Sequence, residues 1–256
     1  RSHRNGSGLQ QYRAGKTVIE SLLLNLGSRD ILSAEEESHL RAIIVKDRYF
    51  AAGEDLVSEG SRPGYSTLLL DGFAARYKVM ADGSRQITAL HVAGDFVDLH
   101  AFPIKKMDHG IVALSSCHVA FADHADLRAI TERMPHLTRL LWLDTLVDGA
   151  IHREWIVAMG RRSKRAHIAH LVCELFVRLQ VVKRTRGASF QFPLTQIEMA
   201  DVLGVSVVHL NKTLQALRRE GVFTWENRTI TIVDWERLQE IAEFDPAYLN
   251  IFKEPR

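Results

Sequence analysis

The sequence predicts an α+β fold in three parts: an N-terminal double-stranded β-helix, or jelly roll, a long helix, and a C-terminal winged helix-turn-helix. Three observations support this architecture. Short β-rich runs alternate with glycine-bearing turns over residues 49–123, a pattern typical of small sandwiches and barrels. A helical period then extends over residues 135–159. Finally, residues 195–220 have the pattern of two short helices joined by a tight turn.

The chain begins with a polar stretch, residues 1–16, which lacks the apolar core of a signal peptide. We interpret this stretch as a flexible arm or a remnant that is not native to the protein. The β-rich domain is assigned to residues 17–134 and opens with helical sequence, in which Ser33 caps a helix with three glutamates in its first turn. Asp82-Gly83, between two strand-like runs, predicts a β-hairpin.

The long helix, residues 135–160, begins with Pro135 at its first position. Because it is apolar on more than one side, it must bury two faces. One face can cover the β-rich domain, and the other is most simply buried against the same helix of a second subunit. The residues predicted at this dimer contact are Leu140, Leu143, Val147 and Ile151. Burial of the whole helix inside a monomer is the alternative.

The C-terminal domain, residues 161–245, contains the helix-turn-helix and is followed by a tail, residues 246–256. Ala200 stands where two helices must touch, and Gly204 stands at a turn that needs positive φ. Ser206 is a good N-cap for the second helix, and Leu210 falls on its buried face. After this helix, a predicted β-hairpin that turns at Glu226-Asn227 has the position of a wing.

Charge is unevenly distributed along the chain. Residues 1–160 carry a net charge of −2, residues 161–219 carry +8, and residues 220–256 carry −4. The basic block coincides with the helix-turn-helix and the helix before it, which is the charge distribution expected of a DNA-binding protein. No apolar run approaches the roughly 18 residues of a spanning helix, so we expect no membrane association. Two distant cysteines, both in apolar surroundings, are expected to be buried thiols in a reducing cytoplasm.

In this order of parts, residues 20–245 resemble the CRP/FNR family of bacterial transcription regulators. The residues that carry the resemblance are FAAGEDLVSEG (50–60), LLLDGFAARYKVMADGSRQITALHVAGDFVDL (68–99) and FPLTQIEMADVLGVSVVHLNKTLQALRREGVFTWENRTITIVD (192–234). The resemblance implies that the β-rich domain is a sensor and that the protein is a homodimer. It also implies a duplex DNA operator of pseudo-palindromic sequence and RNA polymerase as a further partner.

The second helix of the motif is expected to enter the DNA major groove. Valines occupy positions 207 and 208, where family members often carry arginine and glutamate, so the operator should differ from the usual family sequence. Polar side chains beside these valines become the expected base readers, and the start of the first helix and the wing are placed for phosphate contacts. The predicted DNA-binding residues are Thr195, Gln196, Ser206, Val207, Val208, His209, Asn211, Lys212, Arg218 and Arg228.

The resemblance places an effector pocket at Phe96, Val97, Asp98, Leu99 and His100. Cyclic-nucleotide-binding members have Phe-Gly-Glu-Leu here, followed by an arginine that pairs with the cyclic phosphate. In this chain valine replaces the glycine, aspartate replaces the glutamate, and Met107-Asp108 occupy the positions of Arg-Ser or Arg-Thr. A one-residue gap would bring Lys105 or Lys106 to the arginine position, without its bidentate contact. The sequence therefore predicts that cAMP does not bind tightly.

No other cofactor is expected. An iron–sulfur cluster would need an N-terminal cysteine cluster, which the sequence lacks, and scattered histidines such as His91, His100, His109 and His118 do not define a haem or metal site. A module that binds a cyclic nucleotide or another small ligand and acts mainly through protein contacts is the alternative function. The sequence has no nucleophile elbow, P-loop or dinucleotide fingerprint, so we predict that the protein is not an enzyme.

Overall fold

The computed structural model describes residues 19–256, so the predicted arm, residues 1–16, lies outside the described residues. Two helices come first, α1 (Glu20–Gly27) and α2 (Ala34–Ile43). The predicted cap of α2 is a reciprocal capping box: Ser33 Oγ accepts from the Glu36 N–H at 3.2 Å, and a Glu36 carboxylate oxygen accepts from the Ser33 N–H at 2.8 Å.

Seven strands then form two facing antiparallel sheets. They are β1 (Lys46–Phe50), β2 (Asp55–Val57), β3 (Tyr65–Asp71), β4 (Ala74–Val79), β5 (Arg85–His91), β6 (Gly110–Ala113) and β7 (Cys117–Asp123), with a short helix α3 (Ala101–Ile104) between β5 and β6. One sheet has the order β1-β7-β3 and the other β2-β6-β4-β5. The predicted hairpin joins β4 to β5 through a five-residue loop that contains Asp82 and Gly83.

Helix α4 (His124–Arg133) leads into the long helix α5 (Pro135–Gly160), which starts at the predicted proline. Helix α6 (Lys164–Val181) follows, and the Ser163 hydroxyl caps it by accepting from the Ala166 N–H at 3.1 Å. Residues 161–163 separate α6 from α5.

The C-terminal domain continues with β8 (Thr185–Arg186), β9 (Ser189–Gln191), α7 (Gln196–Leu203), α8 (Val207–Glu220), β10 (Phe223–Glu226), β11 (Thr229–Ile232) and α9 (Trp235–Ala242). Its sheet has the order β10-β11-β9-β8. The wing turns at Asn227-Arg228, one residue later than predicted. Both residues have positive φ, 48° and 58°, as a two-residue turn between right-twisted strands requires.

The largest hydrophobic core crosses the boundary between the predicted domains. It joins Phe73 and Leu90 of the β-rich domain to Trp155 of α5 and to Leu171 and Leu175 of α6. The chain end also returns to the N-terminal helices, where the Arg256 N–H donates to Asp30 at 2.6 Å. The β-rich domain and the C-terminal domain are therefore packed against each other along α5.

The predicted dimer face of α5 is not an exposed surface. Leu140, Val147 and Ile151 are buried in the cores of their own chain, and Leu143 packs against the largest core. Because α5 is apolar on several sides, periodicity could not distinguish the inner face from the outer one. The exposed apolar residues of α5 are instead Trp142, Leu146, Ile156 and Val157. Within residues 19–256, no helix is both long and apolar enough to cross a membrane.

Candidate DNA-binding surface and sensor pocket

Helices α7 and α8 form the predicted helix-turn-helix. Gly204 ends α7 with φ of 63°, and the Ser206 hydroxyl caps α8 by accepting from the His209 N–H at 3.3 Å. The inner face of α8, formed by Leu210, Leu214 and Leu217, is buried. This fixes α8 against the domain and leaves its opposite face to solvent.

The exposed face of α8 carries Val208, His209, Lys212, Gln215 and Arg219. Four of these, at positions 208, 212, 215 and 219, recur every three or four residues and so lie in one row. Gln215 was missed by the sequence reasoning, although the same spacing could have identified it. The row combines one apolar side chain with donors and acceptors, which suits the edges of bases in a DNA groove.

Two of the predicted DNA-binding residues do not belong to this exposed row. Val207 is half-buried and packs against the largest core, so it supports the domain rather than facing outward. Asn211 is also half-buried, and its amide donates to the Gln196 side chain of α7 at 3.3 Å. Both are placed at the junction of the two helices, behind the exposed row.

The predicted phosphate contacts lie at the start of α7 and on the basic end of α8. The Thr195 hydroxyl is occupied by a capping box with Glu198, in which it accepts from the Glu198 N–H at 3.2 Å. The N–H groups of Gln196 and Ile197, at the first two positions of α7, have no intrahelical partner, as at every helix start, and remain donors for an anion.

Basic side chains extend this surface. Arg218 and Arg219 are exposed, while their neighbour Glu220 pairs with Arg165 and Arg237. The acidic residue next to the two arginines is therefore neutralised by other elements. Arg228 is exposed at the turn of the wing, so it stays a candidate for a flanking DNA contact.

Four of the five predicted effector residues fill the interior of the β-rich domain, and the fifth, His100, is half-buried. Phe96, Val97 and Leu99 are buried, and Asp98 is fully buried. Asp98 accepts from the Thr67 N–H at 2.5 Å and from the Thr67 hydroxyl at 3.2 Å. Burial raises the pKa of Asp98 to about 7, opposed by these hydrogen bonds. Its carboxylate thus faces β3 rather than an open ligand site.

At the positions that would face a cyclic phosphate, Met107 is buried and the Asp108 side chain is exposed. Neither Lys105 nor Lys106 supplies an inward cation there: both are exposed, and the Lys105 ammonium lies 4.9 Å from the centre of the Phe102 ring. A buried arginine that sequence reasoning missed, Arg76, reaches the sensor interior but pairs with Asp148 of α5 at 3.0 Å.

Polar contacts also join the sensor to the C-terminal domain. The Arg178 guanidinium on α6 pairs with Asp95, in the turn after β5, at 2.6 Å. The Gln86 amide of β5 donates to the Asp201 backbone oxygen of α7 at 2.7 Å, and Arg85 pairs with the Asp201 carboxylate at 2.8 Å. These contacts connect the turn and hairpin of the sensor to the helices that hold α8.

Both cysteines are buried free thiols, as predicted. Burial raises the pKa of Cys173 to about 12 and also raises that of Cys117, so both stay protonated near neutral pH. On α6, His167 and His170 are buried, and the His170 Nε2 lies 3.1 Å from the Tyr248 hydroxyl. These groups act as core residues.

Comparison with known proteins agrees with this arrangement. Residues 47–134 match the model of the cyclic nucleotide-binding domain, and residues 166–241 match that of the Crp-like helix-turn-helix domain. A probable transcriptional activator from Rhizobium leguminosarum is 30% identical over 195 residues, which cover 76% of this chain and 80% of the relative. The transcriptional activator FnrL from Cereibacter sphaeroides is 28% identical over 202 residues, covering 77% and 81%.

Among solved structures, FixK2 from Bradyrhizobium japonicum has the same fold, with a TM-score of 0.66 and 19% identity. The similarity covers 76% of this chain and 96% of that structure. The β-roll, the long helix and the winged helix-turn-helix occur in the same order, and both halves match family models. The chain belongs to the CRP/FNR family of transcription regulators, which bind DNA through a helix-turn-helix and are not enzymes.

Proposed function

We propose that the protein is a homodimeric transcription regulator of the cytoplasm that reads a pseudo-palindromic operator and does not respond to cAMP. The observation that carries this proposal is that one chain exposes two surfaces, each suited to a different partner. One is the exposed row of α8, and the other is an exposed apolar stripe along α5.

The stripe consists of Trp142, Leu146, Gly149, Arg153 and Ile156. Their spacing of four, three, four and three residues is the heptad spacing of a helix that packs against another helix. Trp142, Leu146 and Ile156 are 63%, 53% and 64% exposed, which is unusual for three large apolar side chains aligned on one helix. A second copy of α5 around a two-fold axis would bury the stripe. Arg153, within the apolar row, would then select one register of the pair.

Such a dimer would present two copies of α8 to neighbouring major grooves, about one helical turn apart. In each half-site Val208 would contact a thymine methyl group. His209, Lys212 and Gln215 would supply hydrogen bonds to base edges or phosphates. Recruitment of RNA polymerase would follow from this role as a regulator.

The sensor geometry supports the absence of tight cAMP binding. Asp98 is turned toward Thr67, and the Asp108 carboxylate stands at the place where the family resemblance would put a phosphate partner. Met107 beside it is buried and cannot pair with an anion, and the buried Arg76 is already paired with Asp148. A phosphate enclosed there would lack a compensating cation, which would cost several kcal/mol. The effector is therefore a molecule of different chemistry, or the protein acts without one.

Selection of bound sequences from random duplex DNA, followed by anisotropy titration across salt concentrations, tests the proposal. The expected result is a two-fold repeated motif whose affinity falls steeply with salt. Recovery of no motif, or only single half-sites, would contradict it. Calorimetry with cAMP is a separate test of the sensor, and micromolar or tighter binding would contradict that part.

A further inference from the structure

The geometry points to a binding site for a divalent transition-metal ion at His100, Asp108 and His109, on the rim of the sensor. One potential ligand atom from each of the three side chains lies within 4.8 Å of the other two. The inference concerns metal binding alone and stands whether or not the proposed DNA-reading role is correct.

The fold brings these residues together from two segments. His100 directly precedes α3, and Asp108 and His109 directly precede β6. The two imidazole rings have their centres 5.1 Å apart. The Asp108 carboxylate lies 2.8 Å from the His109 Nδ1, and the Lys78 ammonium holds the Asp108 backbone oxygen at 2.6 Å. Asp108 and His109 are therefore held in place by contacts within the chain.

Unsatisfied nitrogen atoms are the second observation. The Nε2 atoms of His100 and His109 are both buried, and neither has a hydrogen-bond partner among residues 19–256. The His109 residue is only 7% exposed. A buried polar atom without a partner costs free energy, and an absent ion is one recognised explanation for such an atom. Two of them in facing rings, beside a carboxylate, indicate a shared ligand.

The donor set selects the class of metal. Two imidazole nitrogens and one carboxylate oxygen suit zinc, cobalt or ferrous iron, whereas calcium and magnesium prefer oxygen ligands throughout. The Asp108 side chain is 81% exposed, so a water molecule can reach the remaining coordination position. The nearby positive charge of Arg76 would repel a bound cation. Asp148 pairs with Arg76 at 3.0 Å and so offsets that charge.

His167 and His170 provide an internal comparison. Each also has a buried Nδ1 without a partner, and they lie three residues apart on α6. However, among the described residues they are not part of a group of three potential ligands. They therefore supply a matched control: buried histidines with unpaired nitrogens but no site.

The test is titration of the full chain with Zn²⁺ by calorimetry and with Co²⁺ by visible absorption, both without DNA. The parent protein and every variant carry His3→Ala, so that His3, which lies outside the described residues, cannot bind the metal. We expect one equivalent of Zn²⁺ to bind with micromolar or tighter affinity. His100→Ala, His109→Gln and Asp108→Asn should each weaken binding at least about tenfold, whereas His167→Gln should leave it unchanged.

Asp108→Asn changes an exposed side chain and keeps a hydrogen-bond acceptor for His109, so it guards against loss of binding through misfolding. The inference is overturned if the parent protein shows no saturable Zn²⁺ binding. It is equally overturned if the Asp108 and His100 variants bind like the parent, or if His167→Gln weakens binding as much as they do.

Discussion

The Arg178 guanidinium joins two parts of the molecule by pairing with Asp95 at 2.6 Å. It also pairs with Glu174, one turn earlier on α6, at 3.1 Å, and all three side chains are largely or fully buried. The two carboxylates raise the pKa of Arg178 further, so it is charged at any accessible pH. The turn that precedes the predicted effector residues is thus ion-paired to a helix of the C-terminal domain.

Replacing Asp95 by asparagine should destabilise the protein by about 3 kcal/mol, because it leaves part of a buried charge without its partner. Urea unfolding measures this loss. The matched control is Asp71→Asn, which breaks an exposed pair with Arg184, 3.4 Å apart, at the same boundary and leaves the hydrogen bond from Arg184 to the Leu70 backbone oxygen in place. It should cost less than about 1 kcal/mol. An equal decrease in the free energy of unfolding for the two variants would show that the buried pair stabilises the protein no more than the exposed one.

Gly94 lies in the same turn, next to Asp95, and a comparison with Gly83 separates backbone strain from lack of space. Gly94 and Gly83 have φ of 95° and 84°, so alanine is strained at either position. At Gly94 a Cβ atom would also lie 2.6 Å from the Ser21 backbone oxygen, whereas at Gly83 it would meet nothing within 4 Å. Gly94→Ala should therefore destabilise by about 1–3 kcal/mol more than Gly83→Ala in thermal or urea unfolding. Similar values would rule out the close approach as a constraint.

Lys212 stands in the middle of the exposed row of α8. If it meets a phosphate, Lys212→Ala should weaken DNA binding for all sequences and reduce the slope of log affinity against log salt by roughly one unit. Anisotropy titrations at several salt concentrations give both quantities. The control is Lys46→Ala, which removes one positive charge from β1 of the β-rich domain and should leave the slope unchanged. An unaltered slope for Lys212→Ala would show that Lys212 does not contact a phosphate.

The stripe on α5 makes a prediction about assembly. Leu146→Asp should shift the protein from dimer to monomer in sedimentation velocity, because a charge would be placed in the apolar contact. Ile31→Asp is the control, since Ile31 is 74% exposed on the loop before α2 and lies off the stripe. A monomeric parent protein, or a dimer that tolerates Leu146→Asp, would contradict the assigned surface.

His136, near the start of α5, should make stability depend on pH. A hydrogen bond to Asp30, and a second to Glu36, raises the pKa of His136 above its ordinary value of 6.5. A raised pKa in the folded state means that this stabilisation is complete below pH 6.5 and disappears as the pH rises through the folded-state value. His136→Gln should therefore lower the melting temperature at pH 6 and have a smaller effect at pH 8. A pH-independent difference would exclude the ion pair as its source.

Local signals in the sequence were sufficient for much of the fold. Pro135 marks the first residue of α5, and Ser33 and Ser206 cap the helices that follow them. These features depend on neighbours within four residues, so composition and spacing contain them. The order of β-roll, long helix and winged helix followed from the same kind of signal.

The functional surfaces were less accessible to sequence reasoning. Val207 and Val208 are adjacent and identical, yet one packs on the core while the other is 68% exposed. The pair between Arg178 and Asp95 spans 83 positions, which no local pattern reveals. The residues predicted for a helix contact on α5 are instead buried in or packed on the cores of their own chain, because the inner side of α5 is also apolar. In each case the answer depends on which distant element covers a residue.

The core that crosses the domain boundary has a consequence for exchanging modules. Trp155 of α5 and Phe73 of the sensor belong to the same packed cluster as the helices that hold α8. A hybrid regulator joined at residue 161 would have to match that interior on both sides of the join. Substitutions among related proteins should therefore accumulate first on the outer surfaces, at the residues that face DNA and on the rim of the β-rich domain. The core shared by the two domains should change only through coordinated substitutions on both sides.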